Sequence, residues 1–249
     1  MKDIPPVKVL KEKLDDKTRP ITGINKLEVD FAVYITKFFL YTPLKPMHVM
    51  FLWFILQIAG CAIITRGGYW FVLAGVLLYQ LSAILDNVDG QMARFYGHQS
   101  MLALYIDQIY HWINYPLLFL SLGYAANALW LGIANACIFL YTKLFVFNPS
   151  IYNLQNQQVD NVLKKIYWSP RKEGKRTTLM KISDLFRMAL LFNVLFWGVL
   201  LNLVKITLYI YLVFFAAEFI RKFVYTIKQF KEVDKELYGH KEKTDKISP

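Results

Sequence analysis

Long apolar runs, separated by short polar breaks, dominate the chain and predict an all-α, polytopic membrane protein. Six runs approach the ~20 residues needed to cross hydrocarbon at a rise of about 1.5 Å per residue. They lie at about 47–65, 69–93, 99–122, 126–147, 183–204 and 206–226. Arg66-Gly67-Gly68 ends the first, Asn148-Pro149 stops the fourth, and Pro116 sits inside the third. Upstream, Leu27, Phe31, Tyr34, Phe38 and Tyr41 recur every three or four residues. That is one face of an amphipathic helix over 26–41, lying in the membrane interface before Pro43 and Pro46 break it. Residues 1–25, polar and basic with Pro5, Pro6 and Pro20, read as a tail. The chain thus divides into a tail with interfacial helix (1–46), a six-helix transmembrane domain (47–226) and a C-terminal tail (227–249). The longest connection, 148–182, contains the basic run RKEGKR at 171–176, in a short interfacial helix or a loop.

Composition agrees with this plan. Of 249 residues, 56% are hydrophobic and only 19% charged, more apolar and less charged than a soluble domain. Aromatic residues make up 16%, and the Tyr, Phe and Trp stripes read as lipid-facing belts. A net charge of +11 would suggest nucleic acid in a soluble protein. Here the basic residues flank apolar runs, so the expected partner is anionic lipid and nucleic acid is not expected. Six spans put both termini on one side, and that side holds every Lys and Arg except Arg66 and Lys205. Both termini therefore face the cytoplasm, in the inner membrane if the cell is bacterial. Cys61 and Cys137, each inside an apolar run, read as small buried hydrophobes, and no signal-peptide pattern opens the chain.

The chemistry concentrates in residues 86–111, DNVDGQMARFYGHQSMLALYIDQIYH. Asp86 and Asp89 are three apart on one helix face, and Asp107 and His111 are four apart on the next helix. A turn at about Tyr96 to His98 predicts antiparallel neighbouring helices, with three carboxylates converging near the cytoplasmic surface. Acids so near hydrocarbon are costly as bare anions, and Arg94 alone cannot neutralise three. The bland reading is a salt-bridge network with Arg94. The sharper one is a divalent cation, and oxygen donors favour Mg²⁺ or Mn²⁺. Gly90 and Ala93 beside the acids leave room for a bulky ligand, though small residues also serve helix packing.

These residues resemble the signature of the CDP-alcohol phosphotransferase family: D-x-x-D-G-x-x-A-R, eight residues, G, three residues, D, three residues, D. Asp86, Asp89, Gly90, Ala93, Arg94 and Asp107 match in register. Ala103 stands at the family's glycine and His111 at its fourth aspartate, the general base. The resemblance implies a metal-dependent membrane transferase that moves a phosphoalcohol group from a CDP-linked donor, most often CDP-diacylglycerol and alternatively a soluble CDP-alcohol, to a hydroxyl acceptor with release of CMP. Asp86, Asp89 and Asp107 would hold metal, and those acids with Gly90, Ala93, Arg94 and Ala103 would bind the nucleotide. His111, whose ordinary pKa of about 6.5 suits proton acceptance, would be the base. Lys143 and Arg187 are candidate acceptor-binding residues, by loose correspondence to phosphate-accepting relatives, and a homodimer is implied. Two other readings remain: a catalytically silent metal- or nucleotide-binding scaffold, motivated by Ala103 and His111, and a cation transporter, which the single clustering of the acids disfavours.

Overall fold

The computed structural model describes residues 4–14, 24–97, 100–145, 186 and 193–238, and all their regular structure is helical. The helices are α1 (Val7–Leu14), α2 (Ile24–Leu40), α3 (Pro46–Ile64), α4 (Tyr69–Tyr96), α5 (Met101–Ala125), α6 (Leu129–Phe145), α7 (Val194–Leu200) and α8 (Val204–Tyr238). Their breaks fall where chain chemistry demands. Gly67 and Gly68 take φ of 73° and 75° between α3 and α4, and Gly97 takes 65° at the end of α4. An L side chain is disfavoured in this region and glycine is not. Asn127 and Asn202 adopt the same left-handed conformation in the turns after α5 and α7.

Among the described residues, α3 and α4 are the helices both long and apolar enough to cross a membrane, and the apolar part of α6 is shorter. Six spans were expected. The polar groups that α5 carries at Asp107, Gln108, His111 and Asn114 lower its hydropathy, and Lys205, Glu218 and Arg221 interrupt the apolar first half of α8. The connection at 148–182, with its 171–176 basic run, falls outside the described residues, as do 183–185 and 187–192 of the expected fifth span, whose described part is Phe186 and 193–204 with α7 inside it. Exposed Trp70, Tyr124, Trp130 and Trp197 ring the end formed by the α3–α4, α5–α6 and α7–α8 turns, as an aromatic belt would.

Two elements depart from expectation in extent. The segment taken as a tail contains α1, whose Leu10 and Leu14 are buried against α2 and α4. Their i, i+4 spacing makes one apolar stripe, but too short a stripe to stand out in a basic segment. At the other end, α8 continues through the expected boundary at 226 to Tyr238. Residues 227–238 contain no Gly or Pro and are rich in helix formers, so nothing stops propagation into water.

Packing follows small residues and inward polar groups. The α3–α4 crossing is the most extensive and is closest at Gly60 and Gly75. A Cβ on Gly60 would lie 2.8 Å from the Gly75 carbonyl oxygen. Gly123 and Gly132 do the same for α5 and α6. α2 lies against α4 through Thr36 Oγ1 to Gln91 Oε1 (2.6 Å), Gln91 Nε2 to the Val29 carbonyl (3.0 Å) and Asn87 Nδ2 to Glu28 Oε1 (3.2 Å). That contact turns Leu27, Phe31, Tyr34, Phe38 and Tyr41 outward, all exposed, as an interfacial helix requires. Cys61 is buried, but Cys137, expected buried, is exposed beside Ile133 and Tyr141 on the outer face of α6. Apolar character alone does not separate a lipid-facing position from a core one when the solvent is hydrocarbon.

Candidate metal centre

Antiparallel contact between α4 and α5 was expected to bring the acids together. The helices make no extended contact with each other. Instead α3 packs along both. The pairings Trp53 with Asp89 and Gly60 with Gly75 run antiparallel along α3 and α4. Trp53 with His111 and Gln57 with Asn114 run parallel along α3 and α5. A cleft is left between α4 and α5, with α3 as its back wall.

Asp86 on α4 and Asp107 and His111 on α5 meet across this cleft, one ligand atom from each lying within 4.8 Å of the other two. His111 Nε2 is 3.5 Å from Asp107 Oδ1 and 3.7 Å from Asp86 Oδ1. Both distances exceed an ordinary N–H···O hydrogen bond of about 2.9 Å. They lie a few tenths of an ångström above the roughly 3.0–3.4 Å that bonds of about 2.1 Å set between neighbouring donors, so a small side-chain movement would bring the donors onto one cation. Two carboxylate oxygens and one imidazole nitrogen therefore fit a divalent ion. The imidazole moves the preference from Mg²⁺ toward Mn²⁺, which accepts both donor types. The three side chains are 20–35% exposed, so the cleft is open to ligand.

Asp89, expected in the same ligand set, is engaged differently. Its Oδ2 accepts a 2.7 Å hydrogen bond from the Trp53 indole Nε1–H. It stays within electrostatic reach of Asp86 and Asp107. The His111 ring is flanked by Trp53, with centroids 5.2 Å apart and planes at 24°, and by Tyr115, at 5.5 Å and 9°. Its Nδ1 is buried with no hydrogen-bond partner among the described residues.

Above the acids, toward the turn, the side chains are small. Asp86, Gly90 and Ala93 share one face of α4, and Ala103, Asp107 and His111 share one face of α5. A Cβ on Gly90 would meet only the Arg94 guanidinium, no closer than 3.6 Å, so this glycine does not serve a helix crossing. Arg94 Nε donates to the Leu14 carbonyl at 3.0 Å, tying α1 to the cleft mouth. On α6, Lys143 Nζ lies 5.7 Å from the centre of the Phe139 ring, which packs edge-on to Tyr115. Its charge reaches both His111 and Lys222 on α8. Glu218 binds Arg221 at 2.7 Å and lies 3.7 Å from Lys222, as their i, i+3 and i+4 spacing foretells. Arg187 and His98 lie outside the described residues.

Trp53, Tyr115, Gln57 and Asn114 were not singled out in the sequence. Trp53 reads as part of a lipid-facing belt, yet it is 0% exposed. One signal was present. Gln57 is a polar residue in an otherwise apolar span, and such residues face the bundle interior. Trp53, four positions earlier, shares its face. Asn114 marks the inward face of α5 in the same way and donates to Gln57.

No protein-family model matches this chain, and no curated protein is similar to it.

Proposed function

We propose that the chain is an integral membrane CDP-alcohol phosphotransferase. In this reading it moves a phosphoalcohol group, phosphatidyl from CDP-diacylglycerol in the leading version, to a hydroxyl acceptor and releases CMP. The observation that carries the proposal is the meeting of Asp86, the first acid of D-x-x-D-G-x-x-A-R on α4, with Asp107 and His111 on α5, beside small residues at Gly90, Ala93 and Ala103. Six spans, cytoplasmic termini and a homodimer belong to the same proposal. Supporting it are the apolar α3 and α4, the exposed face of α2 and the aromatic belt at the opposite end.

The roles follow from chemistry. Asp86, Asp107 and His111 Nε2 would hold the metal, with Asp89 adding negative charge alongside. A divalent ion there supplies charge stabilisation for a pyrophosphate and its departing phosphate. Gly90, Ala93 and Ala103 leave space for the nucleotide, and Arg94 stands at the mouth to meet its phosphates. An imidazole that ligates through Nε2 carries its own proton on Nδ1, so while His111 holds the metal the acceptor's hydroxyl proton would pass instead to Asp89, the acid beside the cluster that is not a ligand. The freed oxygen attacks the phosphorus distal to the cytidine, that phosphorus parts from the bridging oxygen, and CMP leaves. Lys143, with Lys222 nearby, adds positive charge for an anionic acceptor.

The test is CMP release by the purified chain from CDP-diacylglycerol and soluble CDP-alcohols, with Mn²⁺ or Mg²⁺ and a panel of acceptor alcohols. Release that needs metal and is lost in Asp107→Asn is the expected result. No release from any donor with either metal would instead favour the silent scaffold, the reading that histidine at 111 and alanine at 103 motivate.

A further inference from the structure

We propose that Trp53 is the positioning residue that registers the two halves of the metal centre, an inference that rests on the site reading above. The cleft has a mechanical difficulty. Its acids sit on α4 and α5, two helices without extended contact, so their spacing must be held by a third element. α3 packs on both, and Trp53 is the α3 residue that touches site groups on each side. Its indole N–H donates to Asp89 on α4 at 2.7 Å, and its ring stacks on His111 of α5 at 5.2 Å.

Both contacts are specific. An indole nitrogen is a donor only, so it pairs with a carboxyl oxygen and fixes which way that side chain turns. A metal-ligating imidazole is usually oriented by a hydrogen bond from its second nitrogen. His111 Nδ1 has no such partner among the described residues, so stacking on Trp53 and Tyr115 sets the ring plane instead. Volume alone does not call for tryptophan at a fully buried position in an apolar helix, where phenylalanine or leucine would pack without a polar atom to satisfy.

The test is a double-mutant cycle read as Mn²⁺ affinity, from loss of the free-ion spin-resonance signal on titration into the purified full chain in detergent. Trp53→Phe keeps an aromatic ring beside His111 and removes the donor. It is expected to lower affinity by about 10-fold, the low end of the loss when a partner beyond the ligands themselves is removed, because the Asp89 carboxyl alongside the three ligands is then no longer held in place. Asp89→Asn lowers it as well, and Trp53→Phe with Asp89→Asn together binds no more than about 2-fold more weakly than Asp89→Asn alone, because the two act through one bond. Should Trp53→Phe fail to fold, benzothienylalanine at 53 keeps the indole shape and removes only the N–H, with the same expectations. Affinity in the donor-less variant within 2-fold of the parent, or losses that multiply in the double variant, overturns the positioning role while leaving the metal centre intact. A parent protein that takes up no Mn²⁺ overturns both.

Discussion

Replacing His111 is the most informative perturbation, because this residue lies beside both Asp86 and Asp107 and stacks on Trp53 and Tyr115. His111→Ala removes one of three clustered donors and both ring stacks, on Trp53 at 5.2 Å and Tyr115 at 5.5 Å. An aromatic pair contributes about 0.5–1.5 kcal/mol beyond area burial, so two lost stacks destabilise the fold by about 1–3 kcal/mol. Groups that merely orient a ligand change metal affinity by about 10–100-fold. Loss of the ligand itself is therefore expected to cost at least ~100-fold in Mn²⁺ affinity, about 2.7 kcal/mol. His111→Asp separates the two effects. It loses the same stacks but replaces nitrogen with a hard oxygen donor, so Mg²⁺ affinity relative to Mn²⁺ should rise at least about 10-fold. Spin-resonance titration with Mn²⁺, Mg²⁺ competition, and thermal unfolding in the same detergent measure all three quantities. Mn²⁺ affinity in His111→Ala within about 3-fold of the parent would refute the imidazole as a ligand. An unchanged metal preference in His111→Asp would refute the donor-set reasoning.

Three further outcomes follow from particular contacts. Gly75→Ala places a Cβ 2.5 Å from the Gly60 carbonyl oxygen and 2.6 Å from Ile64 Cγ1, so the α3–α4 crossing must open. A cost of about 1–3 kcal/mol, read as a lowered Tm, is expected, and an unchanged Tm would show that the crossing yields freely. Leu10→Ala empties a fully buried position at a typical cost of about 2–5 kcal/mol. That loss should undock α1, seen as faster hydrogen exchange over Val7–Leu14 and quicker tryptic cleavage there, with α3 and α4 unaffected. Lys143→Ala should raise KM for a phosphorylated acceptor several-fold with little change in kcat, and leave a neutral acceptor's KM unchanged. Equal effects on both acceptors would remove Lys143 from acceptor binding.

Helix positions were largely legible in the sequence because the determinants are local. Gly67-Gly68 and Gly97 end helices through their own backbone freedom, and the outward stripe from Leu27 to Tyr41 is a period that one helix displays by itself. The face shared by Asp107 and His111 is local in the same sense, since i, i+4 spacing fixes it whatever surrounds the helix. The extents of α1 and α8 were less legible. In α1 two leucines make too brief a pattern, and in α8 the chain passes from hydrocarbon to water without any change of conformation.

What neighbouring helices do to those faces was decided only by tertiary structure. The sequence by itself determined that Asp86, Gly90 and Ala93 share one side of α4, and that Ala103, Asp107 and His111 share one side of α5. It could not tell that α3 would lie between the two helices as a back wall, that Asp89 would turn to the Trp53 indole, or that His111 would stack between aromatic neighbours rather than bond through Nδ1. Side-chain spacing along one helix is set by 3.6 residues per turn, whereas the partner across a crossing depends on where small residues let backbones approach. Here that place is Gly60 against Gly75, two turns from Trp53 along α3, and it sets the level at which the indole meets the acid.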